Sequence, residues 1–193
     1  MSLANKLSFF RILLAPVFFI VYFIPSWFSR DAVWTVPVLC LIYIVSEITD
    51  LLDGMAARKL NEASDFGKLL DPFADTLMQL TCFLCFVIDG IFPAVLFLLV
   101  VYREFGILFI RNLMLKNGIA MGARIGGKIK TVTYIVAGGA ALLTVSLQRL
   151  SIFEFLIPYF RIGTVVVFTI SVIISIASFF DYLLVYLKAK NTK

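Results

Sequence analysis

A chain of 193 residues that is 62% hydrophobic and only 15% charged, with a mean hydropathy of +1.03, is too apolar for a soluble domain, which stays nearer half apolar. The net charge of +5 comes with no histidine and three cysteines, which excludes a histidine-based metal or acid–base centre and a disulfide-stapled fold. The basic residues sit at the edges of apolar runs instead of on a polar domain, which speaks against nucleic acid as a partner and for anionic membrane lipids.

Six apolar runs are long enough to cross a bilayer, at about 9–28, 33–52, 69–89, 92–114, 131–148 and 162–187, since a span needs ~20 residues. The expected fold is an all-α integral membrane protein, one domain over residues 1–193, with six transmembrane helices and a short interfacial segment from Ser2 to Phe10 before the first. The first run reads as a retained helix, because Arg11 lies inside it and no small-residue cleavage site follows Trp27. The second run carries Cys40, Glu47 and Asp50, and the short link near 59–67 makes the second and third spans antiparallel neighbours. In the third, Pro72 is expected within the first turns, where proline is tolerated. Cys82 and Cys85 lack further zinc ligands and read as small apolar residues. The fourth run contains Arg103-Glu104 and Arg111. It leads into a loop, KNGIAMGARIGGKIK, whose glycines at 118, 122, 126 and 127 suit a backbone that approaches a ligand. Tyr22, Trp27, Trp34, Tyr159, Tyr182 and Tyr186 lie near span ends, as an aromatic belt would.

Charge orients the bundle. With both termini cytoplasmic, that side collects Lys6, Arg11, Arg58, Lys59, Lys68, Arg103, Arg111, Lys116, Arg124, Lys128, Lys130, Lys188, Lys190 and Lys193, which is 14 of the 17 basic residues. Arg30, Arg149 and Arg161 remain outside.

The segment 50–75, DLLDGMAARKLNEASDFGKLLDPFAD, falls on that same side. On a helix, with Asp50 at 0°, Asp53 lies at about −60°, Gly54 at about +40°, Ala57 at about −20° and Arg58 at about +80°. Two carboxylates thus share a face with two small residues, which leaves room for a ligand. Gly67, Asp71 and Asp75 follow at i, i+4 and i+8 and form a second stripe. Four carboxylates converging at one membrane face repel one another unless hard divalent cations, Mg²⁺ or Mn²⁺, are bound. Aspartates that merely cap helices would explain Asp71 and Asp75, which lie near a helix N-terminus, but not Asp50 and Asp53. A cation transporter or channel is the alternative from another class. It would place its acids near the bilayer midplane between repeat-related broken helices, whereas these lie at one edge and no repeat is evident.

The spacing Asp50-x-x-Asp53-Gly54-x-x-Ala57-Arg58, eight residues, Gly67-x-x-x-Asp71-x-x-x-Asp75 resembles the signature of the CDP-alcohol phosphotransferases, six-span membrane enzymes of phospholipid synthesis. The resemblance implies transfer of a phosphatidyl group from CDP-diacylglycerol to an alcohol, with CMP leaving. It implies two divalent ions held by Asp50, Asp53 and Asp71 with Asp75 at the edge of the cluster, and Asp75 as the general base. It also implies a donor pocket formed by Asp50, Gly54, Ala57, Arg58 and Gly67, and a homodimer. Asn5 and Arg11 in NKLSFFR, Thr49 before Asp50, Arg103-Glu104 with Arg111, and GKIKT from Gly127 to Thr131 resemble the phosphatidylglycerophosphate synthase branch, whose acceptor is sn-glycerol 3-phosphate. A dianionic acceptor needs cations, for which Arg103, Arg111, Arg124, Lys128 and Lys130 are the candidates. For Arg103 an ion pair with Glu104 is the other reading. Thr76 and Glu47 depart from the branch pattern, since lysine is frequent after the last aspartate and a small or apolar residue is expected one turn before Asp50. Related acceptors, phosphatidylglycerol or an inositol phosphate, stay open on this ground.

Overall fold

In hydrocarbon every backbone N–H and C=O must be satisfied within the protein, which leaves helices or a closed barrel. Continuous apolar runs without period-two alternation decide for helices. The computed structural model describes residues 3–28, 31–60, 65–116 and 125–191, with side chains described throughout these except at 3–4, 51–66, 68, 115–116 and 189–191. The helices are α1 Leu3–Phe28, α2 Thr35–Leu60, α3 Asp65–Ile88, α4 Ala94–Lys116, α5 Ile125–Leu150 and α6 Ile157–Asn191, with a 3₁₀ turn at Glu154–Leu156 before the last. No strand occurs among the described residues. Among the described residues, four segments are long and apolar enough to cross a membrane: Asn5–Phe28, Leu69–Ile88, Ile125–Leu150 and Glu154–Lys188. Helix α4 has comparable length, 23 residues, but Arg103, Glu104 and Arg111 interrupt its apolar sequence.

Several expectations change. The interfacial segment Ser2–Phe10 is not a separate element, because α1 runs unbroken from Leu3. Pro72 lies in the first turns of the apolar span Leu69–Ile88, but not in the first turn of its helix. Helix α3 begins at Asp65, so Pro72 lies inside it and deprives the ladder of one N–H. For the same reason Asp71 is more than a turn from the helix start, and Asp50 is well inside α2, which weakens a capping role for either. Gly126 and Gly127 belong to the first turn of α5 and not to a loop. There they let α5 approach α6, since a Cβ would meet Ser178 Oγ at 3.3 Å and Tyr182 Oη at 3.1 Å, respectively. Gly118 and Gly122 lie outside the described residues.

The helices close a ring. α1 packs on α2 and α3, α3 on α4, α4 on α6, α6 on α5, and α5 on α2, while α3 also touches α5 across the middle. Helices α2 and α3 meet where Asp50 faces Asp71 and Asp75, and α1 packs against both. The centre is filled by Phe83, Phe86, Phe92, Tyr134 and Phe168. Phe92 and Phe168 stack with centroids 3.8 Å apart, and Phe83 meets Phe168 edge-on at 5.3 Å. Helix α2 approaches α5 closely at Gly138, where a Cβ would lie 2.5 Å from Tyr43 Oη. The freed hydroxyl donates to the Ile135 carbonyl at 2.9 Å. Outward faces carry exposed Leu13, Leu41, Val95, Phe109, Ile162 and Ile173, the pattern of a surface solvated by lipid. Cys82 and Cys85 are free thiols in the core.

One end of the ring is tied by polar contacts. Tyr22 Oη donates to Asp89 Oδ2 at 2.7 Å, Arg149 donates to Thr35 Oγ1 at 2.5 Å and to the Tyr22 carbonyl at 3.0 Å, and Arg161 Nη2 donates to the carbonyls of Asp89 and Gly90. Gly90, at φ +67°, closes α3 with the paired Ile91 N–H to Phe86 and Gly90 N–H to Val87 bonds of a Schellman turn. The other end holds the aspartates.

Candidate active site

Two helices deliver the carboxylates and a third delivers their counter-charge. Asp71 and Asp75, one turn apart on α3, face Asp50 of α2. A carboxylate oxygen from each of the three lies within 4.8 Å of the other two. Hard oxygen donors this close suit a divalent ion such as Mg²⁺ or Mn²⁺, so the residues present fit the metal that the signature implies. The side chains of Asp53, Gly54, Ala57 and Arg58 lie outside those described, as does all of Arg124. Gly67 is half-buried at the start of α3, one turn before Asp71.

Among these acids lies Arg11 of α1, 1% exposed. Its Nη1 donates to Asp50 Oδ1 at 2.5 Å and also to Asp75 Oδ1, and its Nη2 donates to Asp71 Oδ1 at 2.5 Å. Ser8, one turn earlier, points its hydroxyl at Asp71 Oδ1 from 3.4 Å. Sequence reasoning gave Arg11 no place in the site. The available signal was a lone arginine inside an apolar run, which by membrane energetics must have an anionic partner.

Two cavities open on either side of Asp75. The first, about 110 Å³, is lined by Arg11, Glu47, Asp50, Asp75 and Gln79, and reaches inward to Tyr43 and Phe83. Glu47, the acid out of pattern, thus faces the carboxylate site and not the interface. The second, about 240 Å³, is lined by Asp75, Thr76, Arg103, Arg111, Lys128 and Lys130, with Glu104 and Tyr182. Asp75, Lys130 and Thr131 belong to both walls.

Three cations of the second cavity, Arg103, Lys130 and Arg111, are held by their neighbours. Arg103 Nη1 donates to Glu104 Oε1 at 2.9 Å, its Nε to the Ser175 carbonyl at 3.2 Å, and its Nη2 to Ser178 Oγ at 3.4 Å. Lys130 Nζ lies 2.8 Å from the same Glu104 oxygen and 4.3 Å from the centre of the Tyr134 ring. Tyr134 is itself fixed by a 2.6 Å bond from its hydroxyl to Ser175 Oγ. Arg111 stacks over Tyr182 at 5.7 Å. The Arg103–Glu104 pair anticipated from adjacency is present, but its carboxylate is shared with a lysine of another helix. Glu104 was not recognised as a site residue, because nothing local announces that α5 would bring Lys130 to it.

Residues 1–176 match the family described as CDP-alcohol phosphatidyltransferase. The chain is 37% identical over 193 residues to the CDP-diacylglycerol–glycerol-3-phosphate 3-phosphatidyltransferase of Treponema pallidum (strain Nichols), covering 95% of this chain and 88% of that one. It is 35% identical over 148 residues to the protein of the same name from Bacillus subtilis (strain 168), covering 74% of this chain and 77% of the other.

Proposed function

Because this chain belongs to the CDP-alcohol phosphatidyltransferase family, we propose that it transfers the phosphatidyl group of CDP-diacylglycerol to sn-glycerol 3-phosphate and releases CMP. The observation that carries the choice of acceptor is the position of Asp75. It is shared by a cavity walled with carboxylates and a cavity ringed by Arg103, Arg111, Lys128 and Lys130. A phosphate dianion seated among those cations would present its glycerol hydroxyl to Asp75.

Asp50 and Asp71, with Asp53 by its place in the signature, would be the main holders of the divalent ions, Mg²⁺ or Mn²⁺ and two in number, with Asp75 at the edge of the cluster. When bound, such ions supply charge neutralisation at the diphosphate and at the leaving CMP. The chain's own residues do the rest. Asp75 accepts the hydroxyl proton as the acceptor oxygen bonds to the phosphatidyl phosphorus and the bond to the CMP oxygen breaks. Gly54, Ala57, Arg58 and Gly67 line the donor pocket in this scheme, and Arg124 joins the acceptor cations.

The same reading places the site at the cytoplasmic face of a cell membrane, with six spans and both termini cytoplasmic, supported by the bias of basic residues to that end. A homodimer would cover part of the apolar surface on α3 and α4, where Leu69, Phe73, Leu98 and Phe105 are exposed. The test is CMP release from CDP-diacylglycerol by purified protein in detergent, with glycerol 3-phosphate, phosphatidylglycerol and inositol phosphate compared as acceptors. Turnover with glycerol 3-phosphate alone is expected, and activity only with another acceptor overturns the assignment.

A further inference from the structure

The position of Arg11 does not follow from the family reaction, and it has a consequence for how the site loads. One buried guanidinium donates to Asp50, Asp71 and Asp75 at once, through Oδ1 of each. Those are the residues whose oxygens are grouped closely enough for a metal ion. A divalent ion coordinated by these carboxylates draws their oxygens to ~2.0–2.1 Å in near-octahedral order for Mg²⁺. A guanidinium donating to the same oxygens opposes it by charge and by crowding.

We propose that Arg11 is a resident counter-ion that stands in for the metal while the site is empty and, once displaced, turns to the diphosphate of the donor as a positioning residue. In the empty protein Arg11 keeps three mutually repelling carboxylates in register. On loading it exchanges carboxylate partners for phosphate oxygens, which its planar fork fits equally well. Its buried stem on α1 limits how far it travels, so the new partner must lie beside the cluster, where the donor diphosphate is placed by the reading above. Arg11 therefore couples the two binding events: metal and arginine compete for the aspartates, and donor relieves the competition.

The inference rests on the metal-dependent reading, and its test separates the two. Mn²⁺ binding to full-length protein in detergent is followed by electron paramagnetic resonance, without turnover, for wild type, Arg11→Gln and Arg11→Lys. CDP-diacylglycerol binding is then measured at saturating Mn²⁺. Removing one unit charge a few ångströms from the ion should tighten Mn²⁺ binding by about 10–100-fold in Arg11→Gln, while donor affinity falls at least ~10-fold, the scale of one lost charge-assisted contact. Arg11→Lys, which keeps charge but cannot bridge three acids, should fall between. Thermal unfolding gives a third readout: Arg11→Gln melts lower than wild type without metal and recovers with Mn²⁺. Weakening of both metal and donor binding means a merely structural role and overturns the proposal, as does unchanged Mn²⁺ affinity in Arg11→Gln. Failure of the wild type itself to bind Mn²⁺ overturns the metal reading instead.

Discussion

Glu104→Gln is the perturbation that the acceptor cavity answers most directly. Glu104 is 5% exposed and its Oε1 meets both Arg103 Nη1 at 2.9 Å and Lys130 Nζ at 2.8 Å. Both cations are themselves largely buried, with side chains 6% and 11% exposed. Deleting one partner of a buried ion pair costs about 3–5 kcal/mol, because the remaining charge is left uncompensated. Glutamine keeps an oxygen acceptor in place and loses only the charge, so the cost falls to about 2–3 kcal/mol, the range of one hydrogen bond to a charged group. For a chain of this size that corresponds to a melting temperature lower by about 4–12 °C. The assay is thermal unfolding in detergent, with and without glycerol 3-phosphate. Because the acceptor phosphate brings negative charge to Arg103 and Lys130, it should raise the melting temperature of the variant more than that of wild type. An unshifted melting temperature refutes the argument that Glu104 neutralises this pair. A ligand-induced shift no larger than that of wild type refutes the placement of the acceptor phosphate beside it.

Asp75→Asn should retain metal and CDP-diacylglycerol binding but lose about 10²–10⁴-fold in kcat, the usual contribution of a general base; separate donor-binding and turnover measurements decide, and normal turnover removes Asp75 from that role. Arg111→Ala and Lys128→Ala should raise KM for glycerol 3-phosphate with little effect on donor binding, since both line the second cavity and not the first; steady-state kinetics with each substrate varied in turn checks this. Chelation with EDTA should abolish CMP release and Mg²⁺ or Mn²⁺ should restore it, whereas full activity of metal-stripped protein contradicts the carboxylate assignment.

Hydropathy over windows of one helix length located the six long helices among the described residues, because in this chain the apolar runs and the helices are set by the same short-range chemistry. Register within a helix was legible too. Asp71 and Asp75 lie one turn apart, and they do converge on a common partner. Helix ends were less legible: α2 runs to Leu60, and α5 begins at Ile125 and carries Lys128 and Lys130 into the bundle. The sequence by itself thus determined the class of fold, the family signature and the charged end of the bundle. What only the tertiary structure decided is who meets whom: Arg11 with aspartates 39 to 64 residues away, Lys130 with Glu104, and Gly126 and Gly127 against α6. The physical reason is that lipid is as apolar as the protein interior, so an apolar face says nothing about whether it meets a neighbour or the bilayer. Pairing is set by small residues that admit close approach and by buried charges that must find opposite charges, and both are settled between helices distant in sequence.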